Sequence, residues 1–180
     1  MNYNKSVFIL KSSIFCFIMV LIYPVNSYSE DNGIIPVYAT NPNHIISQVI
    51  NNGADKVVEE LTKNQKTWFY VLRQISKGGN EWIRVAAFLL PGTDAGNRTL
   101  LTDTVNYAIE NSPEEVLSIA IPVFHIYEVC GCGPADADTD EKNIKSKIQS
   151  LMSVKDPNLI PIRDACIAQL NKCIKGDVHK

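Results

Sequence analysis

Residues 162–173 read IRDACIAQLNKC and place Cys166 and Cys173 seven residues apart in a segment whose apolar side chains have helical spacing. On one α-helix that spacing is two turns, which separates the two Cα atoms by ~10 Å. A disulfide requires Cα atoms within about 7 Å, so these cysteines cannot pair with each other while the helix is intact. Each must therefore bond to a cysteine elsewhere in the chain.

Their partners are expected in residues 130–132, which read Cys130-Gly131-Cys132 and are called the strap below. A direct bond between Cys130 and Cys132 would close a very small, strained ring and leave the other two cysteines without mates. We therefore predict that the strap lies along the last helix and is joined to it by two disulfides. The order in which the four cysteines pair is left open.

Two alternative roles for the four cysteines are a four-thiolate zinc site and a redox-active thiol pair. Zinc sites usually have two-residue gaps between paired cysteines. Here one gap is a single residue and the other is six residues. The fifth cysteine, Cys16, lies in the apolar run of the predicted signal peptide and is expected to be lost on cleavage. The even number that remains in an exported chain favours disulfides over both alternatives.

The first 29 residues follow the three-part pattern of a secretory signal peptide. Lys5 and Lys11 supply positive charge, residues 14–23 are an unbroken apolar run, and small residues precede a predicted cleavage between Ser29 and Glu30. A retained membrane anchor is the alternative. It is disfavoured because a spanning helix needs about 20 apolar residues.

The predicted mature chain, residues 30–180, is long enough to form a single domain around one core. Removal of Lys5 and Lys11 with the signal peptide takes the formal charge from −2 to −4. No basic patch remains to neutralise phosphates, so no nucleic-acid partner is expected. We expect a periplasmic or secreted protein with no membrane association after cleavage, and the oligomeric state is not determined by the sequence.

Apolar side chains recur at offsets of three and four through most of residues 41–120 and 141–173, which is typical of amphipathic helices. No alternating segments rich in β-branched residues appear, so a sheet is not expected. Residues 123–129 are too short to distinguish a helical turn from a lone strand. Because most loops are short, we predict an all-α bundle of antiparallel helical hairpins, similar to a short helical-repeat array and stapled by two disulfides.

The same spacing predicts which side chains form the core and which residues begin helices. Asn80 and Asp94 are predicted N-caps, and Ser112 with Glu115 is a predicted capping box. The side chains predicted to face inward are Ile45, Ile46, Val49, Ile50, Val57, Val58, Leu61, Trp68, Val71, Leu72, Ile75, Trp82, Ile83, Ala86, Leu89 or Leu90, Leu100, Leu101, Val105, Ala108, Ile109, Val116, Leu117, Ala120, Ile144, Ile148, Leu151, Ile162, Cys166, Leu170 and Cys173. The aromatic side chains Trp68, Phe69, Tyr70 and Trp82 are interpreted as core, with an exposed partner surface as the alternative.

An acidic stretch follows the strap and contains Asp136, Asp138, Asp140 and Glu141. An EF-hand loop beginning at Asp136 would need Gly at its sixth position and a bidentate Glu at its twelfth, and neither residue is present. We expect a solvated acidic loop that serves as a possible partner surface, with an irregular calcium site as the alternative.

Catalytic motifs are absent: the chain has no nucleophile elbow, no zinc-protease motif and no phosphate-binding glycine loop. His125 lies in an apolar run and is interpreted as a core histidine rather than a general base. We therefore predict no catalytic residue, no metal and no cofactor. An enzyme with an unrecognised site, for example around Asp94 or His125, is kept as an alternative.

Several short segments in residues 61–173 carry a resemblance to known proteins. They are Gly78-Gly79-Asn80-Glu81-Trp82, Leu90-Pro91-Gly92-Thr93-Asp94-Ala95-Gly96, Asn111-Ser112-Pro113 with Val116-Leu117, and Cys130 with Arg163-Asp164-Ala165-Cys166. Together they resemble a group of small uncharacterised exported proteins of bacteria. The resemblance implies a Gram-negative periplasmic setting and no particular activity, and the Cys-x-Cys strap departs from that group.

In size, export, helicity and disulfides the chain is also similar to periplasmic immunity proteins that neutralise wall-degrading toxins. The leading hypothesis is a non-enzymatic periplasmic protein-binding module, such as an immunity-type inhibitor, whose partner is another protein. The alternatives are an envelope-assembly or structural factor and an enzyme with an unrecognised site.

Overall fold

The computed structural model describes residues 34–132 and 141–175, which belong to one compact unit, Gly33–Lys180. The predicted signal peptide lies outside the described residues. Along these residues the chain forms two 3-10 turns, at Val37–Thr40 and Leu90–Gly92, and α-helices. The helices are α1 (Pro42–Asn52), α2 (Ala54–Thr62), α3 (Gln65–Ser76), α4 (Asn80–Leu89), α5 (Ala95–Ala108), α6 (Pro113–Ala120), α7 (Ile126–Val129), α8 (Glu141–Met152) and α9 (Ile160–Lys175).

The predicted fold class, an all-α bundle of helical hairpins stapled by two disulfides, is confirmed. Consecutive helices from α1 to α6 pack against each other, as do α8 and α9, and two longer-range pairs, α1 with α4 and α3 with α5, make the most extensive contacts. The short run left unclassified, residues 123–129, contains a helical turn, α7. No described helix is long and apolar enough to cross a membrane.

Helix ends show where local sequence decides the structure and where it does not. The predicted cap Asp94 is confirmed, because its Oδ1 accepts a hydrogen bond from the backbone N–H of Asn97 at 2.8 Å. The prediction for Asn80 is wrong, since Asn80 is the first helical residue of α4 and follows Gly79, whose φ is 97°. Glycine is needed there because other residues rarely adopt a positive φ.

The predicted capping box at Ser112 is also wrong, and the reason is a tertiary contact. The Ser112 hydroxyl makes no cap bond and instead accepts a hydrogen bond from the backbone N–H of Gly79 at 2.8 Å. A Cβ atom on the neighbouring Gly78 would lie 2.3 Å from that oxygen. The start of α6 is therefore fitted against the glycine pair that separates α3 from α4.

Most of the predicted inward-facing side chains are buried, including every one assigned to α2 and the Trp68, Val71, Leu72 and Ile75 stripe of α3. The exceptions lie at the edges of the stripes. Ile50, Phe69 and Leu100 are exposed, and Tyr70, Trp82, Ile148, Ile162 and Cys173 are half-buried. Each of these residues borders the stripe on its own helix, where a side chain faces solvent and a neighbouring helix at once.

Candidate functional site

The strap is bonded twice to α9. Cys130 pairs with Cys166 and Cys132 pairs with Cys173, with Cα atoms 5.2 Å and 5.3 Å apart. This settles the pairing that the sequence left open, and with all four sulfurs in disulfides the zinc and free-thiol alternatives are wrong. Cys130 and Cys166 are fully buried, whereas Cys132 and Cys173 are half-buried, so the two bonds face different surroundings.

A buried polar network lies under the strap. The side-chain amide of Asn106 on α5 donates to the backbone oxygen of Val129 at 2.5 Å and to that of Gly131 at 3.2 Å. The Asn106 oxygen accepts a hydrogen bond from the ammonium group of Lys147 on α8 at 2.5 Å. Hydrogen bonds to a charged group are stronger than neutral ones, and a buried polar group without a partner is costly. The network therefore fixes the strap backbone from its inner side.

Lys147, the charged member of this network, is a buried residue of α8. Charged side chains of an amphipathic helix usually face solvent, yet Lys147 is only 2% exposed, with its ammonium 5.0 Å from the centre of the Tyr107 ring. One signal could have found it, because position 147 lies three residues after Ile144 and four before Leu151, and both of those side chains are buried. A lysine inside an apolar stripe is a candidate for a buried, partnered charge.

The segment that leads from α6 into the strap, residues 121–129, has an exposed outer side. Ile121 is 60% exposed, Val123 37% and Tyr127 60%, whereas Phe124 and Val129 are buried. Phe124 therefore anchors the segment in the core, while Ile121, Val123 and Tyr127 remain accessible.

Polar contacts hold the same segment in place. The Glu128 carboxylate accepts a hydrogen bond from the His125 backbone N–H at 3.3 Å and forms an ion pair with Arg98 of α5 at 3.2 Å. The prediction that His125 is a core histidine is wrong, since its side chain is exposed. Its ring stacks on that of Tyr127, with centroids 5.4 Å apart and planes inclined by 4°. The residues 121–129, with this exposed His125–Tyr127 stack, are called the α6–α7 segment below.

The other predicted sites are placed as follows. Asp136, Asp138 and Asp140 lie outside the described residues, while Glu141 is the exposed first residue of α8 and pairs with Lys145 at 2.6 Å. Asp94 serves as the α5 cap, and no hydrogen bond or ion pair within the described ranges joins it to His125. In residues 34–132 and 141–175 no group of three or more His, Cys, Asp or Glu side chains is arranged to hold a metal ion.

Comparison with family models, with curated proteins and with solved structures finds no match to this chain.

Proposed function

We propose that this chain is an exported, non-enzymatic protein-binding module of the bacterial periplasm, of the immunity type, and that it binds its partner through the α6–α7 segment. Two disulfides indicate an oxidising compartment. Together with the signal-peptide pattern of the first 29 residues, they favour export to the periplasm.

One observation carries the proposal: the α6–α7 segment exposes large apolar side chains on a backbone that is fixed from the inside. Phe124 is buried, Glu128 is held by Arg98, Asn106 binds the Val129 oxygen, and the disulfides follow immediately. A segment that is already ordered loses little conformational entropy on binding. Exposed tyrosine with arginine nearby is the composition of residues that dominate protein interfaces.

Charge indicates what kind of partner fits this surface. The predicted mature chain carries a formal charge of −4, and the helix before the segment, α6, has Glu114 and Glu115 in its first turn. The acidic residues Asp136, Asp138, Asp140 and Glu141 follow the strap in sequence. A basic partner is attracted by this charge, and basic surfaces are favoured in enzymes that act on anionic polymers such as the cell wall. The proposed partner is therefore a basic wall-degrading toxin.

Site-specific photocrosslinking in the periplasm tests this proposal. A benzoylphenylalanine at Tyr127 is expected to capture a basic wall hydrolase, identified by mass spectrometry, whose activity the purified chain inhibits. The matched control is the same probe at Ile50 on α1, which is 67% exposed but distant in sequence, and it is expected to capture nothing. Equal capture at both positions, no capture at Tyr127, or a captured hydrolase that stays fully active would overturn the proposal.

The energetic contribution of the surface is measured on the same complex. Truncation of a central interface tyrosine costs at least about 2 kcal/mol, so Tyr127→Ala is expected to weaken binding roughly 30-fold. Val37→Ala removes an apolar side chain that is 83% exposed at the 3-10 turn and is expected to leave the affinity unchanged.

A further inference from the structure

A groove of about 390 Å³ lies between α1 and α2, away in sequence from the α6–α7 segment. Gly53, with φ of 88°, ends α1 and α2 begins at the next residue, so the two helices meet at a sharp turn and share this groove. The polar side chains that line it are Tyr38, His44, Gln48, Asn52, Lys56 and Glu60, above the buried Val57.

One wall of the groove is a hydrogen-bond ladder along α1. His44, Gln48 and Asn52 are four residues apart and lie on one helix face. Asn52 donates from Nδ2 to Oε1 of Gln48 at 2.6 Å, and Nε2 of Gln48 lies 3.1 Å from Nε2 of His44. Because the Gln48 oxygen is used by Asn52, its NH₂ group faces His44 and donates to it. The ladder therefore has a fixed direction, and each amide keeps a second N–H group for a ligand.

The other wall supplies two opposite charges on α2. Lys56 and Glu60 are one helical turn apart, and only Oε2 of Glu60 is engaged, by Lys63 at 2.9 Å. The negative charge of Glu60 also reaches Tyr38, whose pKa is raised mainly by burial and further by this carboxylate. The groove thus has a cationic end at Lys56, an anionic end at Glu60 and an apolar floor.

We propose that the groove binds a small zwitterion of dipeptide size. Lys56 and Glu60 are four residues apart, a rise of about 6 Å along α2, and two extended residues span about 7 Å, so the two ends of an extended dipeptide can face the two residues. Its carboxylate contacts Lys56 and the free amide N–H groups, its ammonium contacts Glu60, and an apolar side chain covers Val57 and the Tyr38 ring. The volume lies in the range of small-molecule sites.

Titration of the ¹⁵N-labelled protein with alanyl-leucine, and with its N-acetylated and C-amidated forms, tests this inference by NMR. The free dipeptide is expected to shift the signals of α1 and α2, and each blocked form to bind about three- to fivefold more weakly, as expected for exposed charge pairs. Lys56→Gln is expected to abolish the discrimination against the amide. Glu60→Gln is expected to abolish the discrimination against the acetylated form.

The matched control changes a lysine and a glutamate outside the groove, Lys77→Gln and Glu81→Gln, and is expected to bind all three compounds as the unchanged protein does. All four positions are exposed, so helical content is expected to be preserved. Absence of groove shifts at millimolar dipeptide, or equal binding of free and blocked forms, would overturn the inference. Neither result bears on the partner surface, which involves different helices.

Discussion

Helices α3 and α9 are held in place by different forces. In α3, twelve residues long, the side chains of Thr67, Trp68, Val71, Leu72 and Ile75 are buried. In α9, sixteen residues long, only Cys166 and Leu170 are fully buried among the described side chains, and two disulfides join the helix to the strap. Apolar burial contributes about 1.5–3 kcal/mol per large side chain, so α9 depends on covalent bonds where α3 depends on packing.

The comparison suggests that the two parts of the chain will respond differently to the same kind of change. The α1–α6 part should be sensitive to volume and backbone geometry. Residues 121–175 should be sensitive to loss of disulfides and of the buried polar network.

Removal of the inner disulfide by Cys130→Ala with Cys166→Ala leaves the outer bond in place, so the lost ring spans only residues 130–132 and 166–173. The free energy of unfolding is expected to fall by about 3 kcal/mol from chain entropy, plus a contribution from the cavity. The matched control removes the outer bond, Cys132→Ala with Cys173→Ala, whose sequence separation is 41 rather than 36. The two loops have similar entropy, so the inner pair should cost more only because it is buried. Urea denaturation measures both, and an equal or smaller loss for the inner pair would contradict this interpretation.

The buried network is tested by Asn106→Ala, which leaves the Lys147 ammonium without one of its acceptors and removes the donor to the backbone oxygens of Val129 and Gly131. A buried charged donor that loses its acceptor costs about 3 kcal/mol or more. Lys147→Met is expected to cost less, since it removes the charge together with its need for partners. Lys145→Met, two residues away and exposed, is the control and should change stability by less than about 0.5 kcal/mol. A similar loss at positions 145 and 147 would refute the role given to Lys147.

In the packed part, Gly78→Ala and Gly79→Ala separate steric conflict from backbone strain. Both glycines have positive φ, 82° and 97°, but only a Cβ at Gly78 meets another atom, the Ser112 oxygen at 2.3 Å. Backbone strain alone costs about 1 kcal/mol, and the added clash should raise the loss at Gly78 to roughly 2–3 kcal/mol. Thermal unfolding measures the difference, and equal losses would mean that Ser112 moves aside freely.

The smallest effect concerns helix caps. Asp94→Ala removes a cap bond and is expected to lower the free energy of unfolding by about 1 kcal/mol. Asn80→Ala is the control, since Asn80 has no cap role in the structure and alanine favours a helix. If Asn80→Ala were as destabilising as Asp94→Ala, Asn80 and not Gly79 would be the N-cap residue of α4.

Much of the fold follows from local rules that the sequence displays. The seven-residue spacing of Cys166 and Cys173 is enough to predict that both bond to the strap, because helix geometry alone forbids their pairing. The core stripes follow from periodicity, and the Asp94 cap follows from a bond within four residues. In each case the decisive contact is close in sequence or imposed by a regular element.

The errors share a different physical origin. Ser112 has the chemistry of a cap, but its hydroxyl is taken by Gly79, which is 33 residues away in sequence. Lys147 is buried because Asn106, on another helix, offers an acceptor. His125 faces solvent because the neighbouring Phe124 occupies the core instead. Such outcomes depend on competition between distant partners, which a pattern along the chain does not display.

The candidate site is less predictable than the fold for the same reason. The acidic residues chosen from sequence stand out by charge, whereas the α6–α7 segment is distinguished by which of its apolar side chains remain exposed. That distinction depends on packing against α5 and α9. Periodicity could not supply it, because the segment is too short to have a period.

Stepwise reduction of the native protein tests the central claim, that a strap bonded twice to α9 holds this segment. The protein is first treated with a low concentration of a phosphine, and the thiols that form are alkylated with a first label. The remaining disulfides are then fully reduced and alkylated with a second label. Fragmentation of tryptic peptides shows which cysteine carries which label. Lys172 separates Cys166 from Cys173 in the digest. The half-buried pair, Cys132 and Cys173, is predicted to take the first label while Cys130 and Cys166 remain bonded. First labelling of Cys130 or Cys166, a bond between Cys130 and Cys132, or free thiols before reduction would contradict the account.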